Sequence, residues 1–142
     1  MNKVYTIGYE GKDIEGFLEL LEEKGISRLI DVRSHPRSHR EKFNKDNLKE
    51  ELFQKSILYK HLSGVGGLRE DYDEVMEREE WREGFEEIKN LAEEGRTVLM
   101  CLEEDPMECH RRHIAEELEK DGWEVVHITE GTSWKEKSLD DF

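Results

Sequence analysis

The sequence has little cysteine, little proline and no long apolar run. Two cysteines in 142 residues are too few for the disulfide framework of a small secreted protein. No apolar stretch approaches the roughly 20 residues that span a bilayer. Met1-Asn2-Lys3 leads into a strand-like segment without a signal-peptide pattern. We therefore expect a cytoplasmic protein that has no membrane partner.

Positive charge is scarce as well. The chain has 22 basic against 36 acidic residues and a formal net charge of -14, which disfavours loose electrostatic capture of nucleic acid. One stretch, residues 33–42, reverses this sign, and we call it the basic segment. Its basic side chains include Arg33, Arg37, His39, Arg40 and Lys42. A contact with nucleic acid or with an acidic protein is therefore expected only there.

Strand-like and helical patterns alternate along the chain. Short apolar runs typical of strands occupy residues 4–7, 28–32, 57–62, 97–101 and 124–128. Apolar residues at helical spacing occupy residues 14–21, 44–52, 81–91 and 109–120. This alternation predicts an α/β fold, a single-domain three-layer sandwich with a mostly parallel sheet of about five strands. We expect residues 1–130 to form the domain and residues 131–142 to form a flexible acidic tail.

Polar residues follow the predicted strands at the edge of the sheet where ligands of such folds bind. Asp31 lies within an apolar run, and a buried carboxylate has to be paired or protonated. Its natural partner is an arginine, either Arg33 or Arg111. Such a pair either ties loops together or places Asp31 beside a substrate, as a general base or as the group that orients an arginine. Tyr9, after the first strand, either contacts a ligand or lines its turn.

The segment Cys109-His110-Arg111 is predicted to lie at the start of a helix. Asp105 is suited to cap this helix and Pro106 to its first turn. A helix N-terminus lowers the pKa of a thiol and favours anions, and arginine offers a planar fork to phosphate or carboxylate. Arg111 shares a helical stripe with the apolar residues that follow it, so it is expected to point toward the sheet.

These residues support three functional hypotheses. The first is an enzyme that acts on an anionic, phosphate- or nucleotide-like small molecule. Its catalytic candidates are Asp31, Glu103, Cys109 and His110, and its substrate-binding candidates are Tyr9, Arg33, Ser38 and Arg111. The second is a non-enzymatic module whose basic segment docks on nucleic acid or an acidic protein. The third is sulfurtransferase-like thiol chemistry at Cys101 or Cys109, which predicts rapid alkylation near neutral pH.

Metal binding has a weaker basis in the sequence. Cys101, Cys109, His110 and His113 supply sulfur and ring-nitrogen donors. Their spacing fits no compact zinc pattern. We therefore expect neither a metal nor another cofactor.

Several short motifs occur in order along the chain. They are Thr6-Ile7-Gly8-Tyr9-Glu10-Gly11, Asp31-Val32-Arg33-Ser34-x-Pro36-x-Ser38, Gly66-Gly67, Met100-Cys101-x-Glu103, Cys109-His110-Arg111 and His127-Ile128. Together they resemble the domain of unknown function 488 family, over residues 4–128. The resemblance implies a small prokaryotic single-domain α/β protein and draws attention to these motif residues, but it implies no particular reaction. Many family members have His-Ser where this chain has Tyr9-Glu10, so no role of a first-strand histidine is carried over.

A weaker likeness is to rhodanese-type sulfurtransferases. These also place Asp-x-Arg after an early strand and a cysteine after a later apolar strand, which here are Asp31-Val32-Arg33 and Cys101. The active loop does not match, because a rhodanese loop curls tightly from its cysteine into a helix. Here the acidic residues 103–105 follow the cysteine, and their negative charge disfavours a persulfide and its anionic donors.

Overall fold

The computed structural model describes residues 2–33, 35–65, 72–103 and 111–129, so the tail predicted from residue 131 lies outside the described residues. The strands are β1 (Lys3–Gly8), β2 (Arg28–Asp31), β3 (Leu58–His61), β4 (Thr97–Cys101) and β5 (Glu124–Ile128). The α-helices are α1 (Ile14–Glu23), α2 (Lys45–Gln54), α3 (Tyr72–Met76), α4 (Glu79–Glu94) and α5 (Arg111–Lys120). Short 3₁₀ turns occupy Glu41–Phe43 and Ser63–Val65. Among the described helices, none is long and apolar enough to cross a membrane.

The described strands form one five-stranded sheet in the order β3-β2-β4-β1-β5. Every neighbouring pair is parallel. β1 lies between β4 and β5, with Thr6 opposite Leu99 on one side and His127 on the other. β2 lies between β3 and β4, with Asp31 opposite His61. The predicted α/β fold with a mostly parallel sheet is confirmed.

Helices cover both faces of the sheet because apolar side chains of each strand alternate between the faces. The first face is covered by α1 and α2, whose Phe17 and Leu48 share a buried cluster with Ile7 of β1. The second face is covered by α4 and α5, whose apolar stripes share a buried cluster with Val4 of β1. Two apolar cores therefore lie on either side of one sheet.

The connections after β1 and β4 determine where a ligand fits. The helix after β1 lies on the first face and the helix after β4 lies on the second, although β1 and β4 are neighbours. In open parallel sheets this divergence opens a crevice beyond the carboxyl ends of the two strands. Their ladder extends slightly past the strands, since the Tyr9 N–H donates to the Cys101 carbonyl at 3.1 Å and the Glu10 N–H to the Leu102 carbonyl at 2.8 Å.

Gly64, in the Ser63–Val65 turn, packs closely against α4. A Cβ at this position would lie 2.7 Å from the backbone oxygen of Glu80, and helix backbone does not move aside as a side-chain tip does. We therefore expect Gly64→Ala to lower the free energy of unfolding by about 1–3 kcal/mol, the usual cost of overpacking. Urea denaturation measures this change. Ser63→Ala, at an exposed neighbouring position, is the control, with an expected change below about 0.5 kcal/mol; equal stability of the two variants would contradict the close packing.

Candidate functional site

A buried ion pair lies at the carboxyl end of β2. The Arg33 guanidinium donates from Nε to Asp31 Oδ1 at 2.9 Å and from Nη2 to Asp31 Oδ2 at 2.7 Å. The backbone N–H of Arg33 donates to Oδ1 as well, at 3.1 Å. Asp31 is fully buried and the Arg33 side chain is 7% exposed. The predicted arginine partner of Asp31 is thus Arg33, in a bidentate pair that occupies both carboxylate oxygens.

Two tyrosines complete this buried network. The Tyr59 hydroxyl of β3 donates to Asp31 Oδ2 at 2.5 Å. Burial, and then the negative charge of Asp31, raise the pKa of Tyr59, so its hydroxyl stays protonated and remains a donor. On the other side, Arg33 Nη1 donates to the Tyr9 hydroxyl at 3.3 Å. Asp31 and Arg33 therefore find their hydrogen-bond partners inside the protein.

The aromatic rings beside this network extend it to the surface as a stack. The Arg33 guanidinium lies 5.3 Å from the centroid of the Tyr9 ring, and Tyr9 stacks on Phe43 at 4.5 Å. Arg40 covers the far side of the stack, with its guanidinium 4.9 Å from the Phe43 centroid. Phe17 of α1 meets Phe43 edge to face at 5.2 Å. We call the series Arg33, Tyr9, Phe43 and Arg40 the arginine–aromatic stack; its inner end is buried and its outer end is exposed.

The basic segment is tied to the protein at several points. The His61 ring donates from Nε2 to the Arg33 carbonyl at 2.7 Å, because a carbonyl oxygen only accepts. Ser38 donates its backbone N–H to Asn44 Oδ1 at 2.5 Å, and its hydroxyl accepts the Arg40 N–H at 3.0 Å. The Asn44 side chain makes no hydrogen bond to the start of α2. Asn44 does precede the helix as predicted, but its side chain holds the basic segment instead.

A wide cavity of about 1070 Å³ lies between the basic segment and the start of α2. Its basic walls are His35 and Arg37 on one side and Lys45 on the other, all exposed. Asp46 is the carboxylate in its lining. The remaining lining residues are Pro36, Asn44 and Asn47.

A second polar cluster lies on the second face of the sheet. Arg111, at the start of α5, is fully buried and donates from Nη2 to the Glu103 carbonyl at 2.8 Å. Its predicted inward orientation is confirmed. The Thr6 hydroxyl lies 2.5 Å from His127 Nδ1, across the β1–β5 pair. Burial, and then the positive charge of Arg111, lower the pKa of His127 to about 4.

The predicted site residues belong to different clusters. Tyr9, Asp31 and Arg33 meet on the first face, because Asp31 bonds the hydroxyl of Tyr59 and Arg33 that of Tyr9. Both tyrosines belong to the cluster under α1 and α2. Glu103 and Arg111 meet on the second face, through the backbone of Glu103. The contacts of the two arginines therefore lie on opposite faces of the sheet.

The cysteine motif is only partly within the described residues, since Cys109 and His110 lie outside them. Cys101 is buried and disulfide-bonded, and Cys109 is the only other cysteine in the sequence. Thiol chemistry at Cys101 would first require reduction of this bond. Within the described residues, no group of three or more His, Cys, Asp or Glu side chains is placed to hold a metal ion.

Several residues of these clusters were not singled out from the sequence as site candidates. Tyr59 of β3 and Phe43 of the Glu41–Phe43 turn are distant from Asp31 in the sequence. Only the β2–β3 register brings Tyr59 to the face of Asp31. Lys12 is another, with a side chain that is 3% exposed and donates from Nζ to the Gly8 carbonyl at 2.9 Å. Nothing in the sequence around Lys12, which lies in the turn after β1, indicates that its side chain is buried.

A family profile matches most of this chain. The sequence profile described as domain of unknown function DUF488 matches residues 13–118, a range that runs from the start of α1 into α5 and includes the basic segment and the cavity. Comparisons with curated proteins and with solved structures each gave no match.

Proposed function

This chain belongs to the DUF488 family, and from the cavity beside its basic segment we propose that it binds a small anionic ligand, phosphate- or nucleotide-like. The main observation in support is that His35, Arg37 and Lys45 face one cavity in a chain whose net charge is -14. Basic side chains that line a concave surface attract an anion more strongly than the same charges spread over a convex surface. The volume of about 1070 Å³ lies slightly above the range of about 300–1,000 Å³ that is typical of small-molecule sites.

The position of the cavity agrees with the fold. The basic segment follows β2, so its residues stand beyond the carboxyl end of a parallel strand, where such sheets bind ligands. The first turn of α2 forms the opposite wall, and the partial positive charge of a helix N-terminus adds to that of Lys45. Asp46 opposes both, so its carboxylate limits the affinity for an anion.

The buried ion pair serves this site as a support. Both oxygens of Asp31 are occupied by Arg33 and Tyr59, which favours a structural tie over the role of a general base. The tie fixes the side chain of Arg33, while His61 holds its carbonyl. The first residue of the basic segment is therefore held at two points. This limits the conformations of the unbound segment, so less entropy is lost when a ligand binds.

The net charge favours a small ligand over a polymer. A long nucleic acid would extend beyond the cavity toward surfaces rich in carboxylates, such as α1 on the same face, where Glu15, Glu19 and Glu22 are exposed. At physiological ionic strength those charges act over about 8 Å, so they repel a polymer more than a ligand confined to the cavity.

We expect Arg37→Ala to weaken binding of inorganic phosphate and of a nucleoside monophosphate about five- to tenfold, the loss of one exposed charge-assisted hydrogen bond. Isothermal titration calorimetry at low ionic strength measures the affinity. The matched control is Arg82→Ala, which removes an exposed arginine from α4, away from the cavity. Asp46→Asn should strengthen binding a few-fold by removing the opposing charge. Equal affinities of Arg37→Ala and Arg82→Ala would contradict the proposal.

The basic segment also supports an alternative, contact with single-stranded nucleic acid. The observation in its favour is that Arg37, His39, Arg40 and Lys42 are all exposed. A fluorescent oligonucleotide separates the two ligands: a steep fall in affinity with salt, together with no binding of a mononucleotide, would favour the polymer.

A further inference from the structure

We propose a second anion subsite beyond the carboxyl ends of β1 and β4, where the guanidinium of Arg40 binds a phosphate or carboxylate group. Arg40 does not line the cavity described above. It lies at the exposed end of the arginine–aromatic stack, and its Nη1 donates to the Tyr9 carbonyl at 3.3 Å. Three features of Arg40 support this subsite: its fixed geometry, its charged surroundings and its place in the sheet.

The guanidinium of Arg40 is held before any ligand arrives. Its Cζ lies over the Phe43 ring, 4.9 Å from the centroid, and Phe43 is itself packed against Tyr9 and Phe17. The Tyr9 carbonyl occupies one of its donors, whereas an arginine side chain offers five N–H groups. A planar donor fork that is already ordered loses less entropy when it engages an oxyanion in a bidentate manner.

Two basic side chains reach the same strand end. Lys12 donates to the Gly8 carbonyl and Arg40 to the carbonyl of the next residue, Tyr9. Two cations are therefore held by consecutive carbonyl groups at the end of β1. Glu10 is the neighbouring carboxylate in the sequence, and it is exposed to solvent. The ammonium group of Lys12 and the guanidinium of Arg40 therefore both lie near the carboxyl end of β1.

The topology places Arg40 at the crevice. Tyr9 lies in the extension of the β1–β4 ladder, since its N–H donates to the Cys101 carbonyl and the Glu10 N–H to the Leu102 carbonyl. The Tyr9 carbonyl itself accepts from Arg40. β1 and β4 are the neighbouring strands from which the chain departs to opposite faces. Arg40 is thus brought, from the segment after β2, to the position where ligands of parallel sheets are expected.

Arg96 provides a closely matched control within the chain. Its Nη1 donates to the Lys24 carbonyl at 2.8 Å, and its guanidinium lies 6.0 Å from the centroid of the Tyr5 ring. Arg96 is exposed like Arg40, but it precedes β4 and so lies at the amino end of the sheet. Both arginines contact a carbonyl group and an aromatic ring. A difference between them in anion binding therefore reports their different positions in the sheet.

The test follows the Nε–Hε signals of both arginines by NMR in the ¹⁵N-labelled full chain carrying Arg37→Ala, during titration with inorganic phosphate and, separately, with acetate. We expect the Arg40 signal to shift and saturate with at least one anion, while the Arg96 signal stays in place. The anion that saturates at lower concentration identifies the group that the subsite prefers. Parallel, non-saturating shifts of both signals with both anions would overturn the proposal.

A second measurement tests the planar fork itself. In the Arg37→Ala background, Arg40→Lys keeps the charge and is expected to weaken binding of the preferred anion about fivefold, whereas Arg96→Lys should leave it unchanged. Equal binding by these two variants would overturn the proposal. The two proposals can fail separately. If Arg37→Ala in the otherwise native chain leaves the phosphate affinity unchanged but the Arg40 signal saturates, the cavity proposal is overturned and the Arg40 subsite is supported.

Discussion

Asp31→Ala is expected to lower the free energy of unfolding by about 3–5 kcal/mol, the usual cost of breaking a buried ion pair by removing one partner. The Arg33 guanidinium would keep its charge in a site where its side chain is 7% exposed. It would lose the hydrogen bonds that its Nε and Nη2 donate, and the Tyr59 hydroxyl would lose its acceptor. Denaturation in urea, followed by circular dichroism, measures this change.

A double-mutant cycle shows where this loss originates. Arg33→Met in the Asp31→Ala background removes the uncompensated charge, so the double variant should recover a large part of the stability that Asp31→Ala loses. Tyr59→Phe, which removes one hydroxyl donor and leaves the ion pair in place, should cost only about 1 kcal/mol. If Asp31→Ala were as stable as Tyr59→Phe, the ion pair would not be the support of the basic segment that we describe.

The stability conferred by neutral His127 is expected to disappear between about pH 6.5 and pH 4. Burial, and then the positive charge of Arg111, lower the pKa of His127 from 6.5 to about 4 in the folded protein. Between these values the unfolded chain binds a proton that the folded protein does not, so acidification favours unfolding. The contribution is fully present above pH 6.5, and roughly 3 kcal/mol is lost once the pH has fallen through 4.

The measurement is the difference in unfolding free energy between the native sequence and His127→Gln at several pH values, since carboxylates elsewhere affect both proteins alike. We expect the advantage of the native sequence to shrink as the pH falls from 7 to 4. The difference measured at pH 7 is the internal reference, because the contribution of His127 is fully present there. Parallel stability curves of the native sequence and His127→Gln would contradict this assignment.

Much of the fold follows from local patterns in the sequence. The short apolar runs predict β1 to β5 to within a residue or two, because strand residues that are buried on both faces form near-continuous apolar segments. The burial of Asp31 and the inward orientation of Arg111 also follow from their positions in such patterns. These features depend on neighbours in sequence, so they can be derived without the sheet order.

The grouping of the site residues depends on long-range contacts instead. Asp31 and Arg111 both lie near carboxyl ends of strands, but the parity of Asp31 in β2 places it on the first face, whereas α5 covers the second. The ring contact between Tyr9 and Phe43 joins the end of β1 to the turn before α2. Nothing in the spacing of these residues indicates that Arg40 closes that stack, since the contact requires the whole basic segment to fold back over β1.

The position of β1 in the sheet also has a consequence for biosynthesis. β1 precedes the other four described strands in the chain, but its partners in the sheet are Thr97–Cys101 and Glu124–Ile128. At about 5–20 residues per second, the ribosome needs roughly 5–20 s after β1 to deliver the first of these partners. During that interval β1 lacks both of its strand neighbours, and its apolar residues can pack only on elements already made, such as α1, whose Phe17 shares a buried cluster with Ile7. The five-stranded sheet is therefore complete only after Glu124–Ile128 has been made, and until then the unpaired edges of β1 favour aggregation.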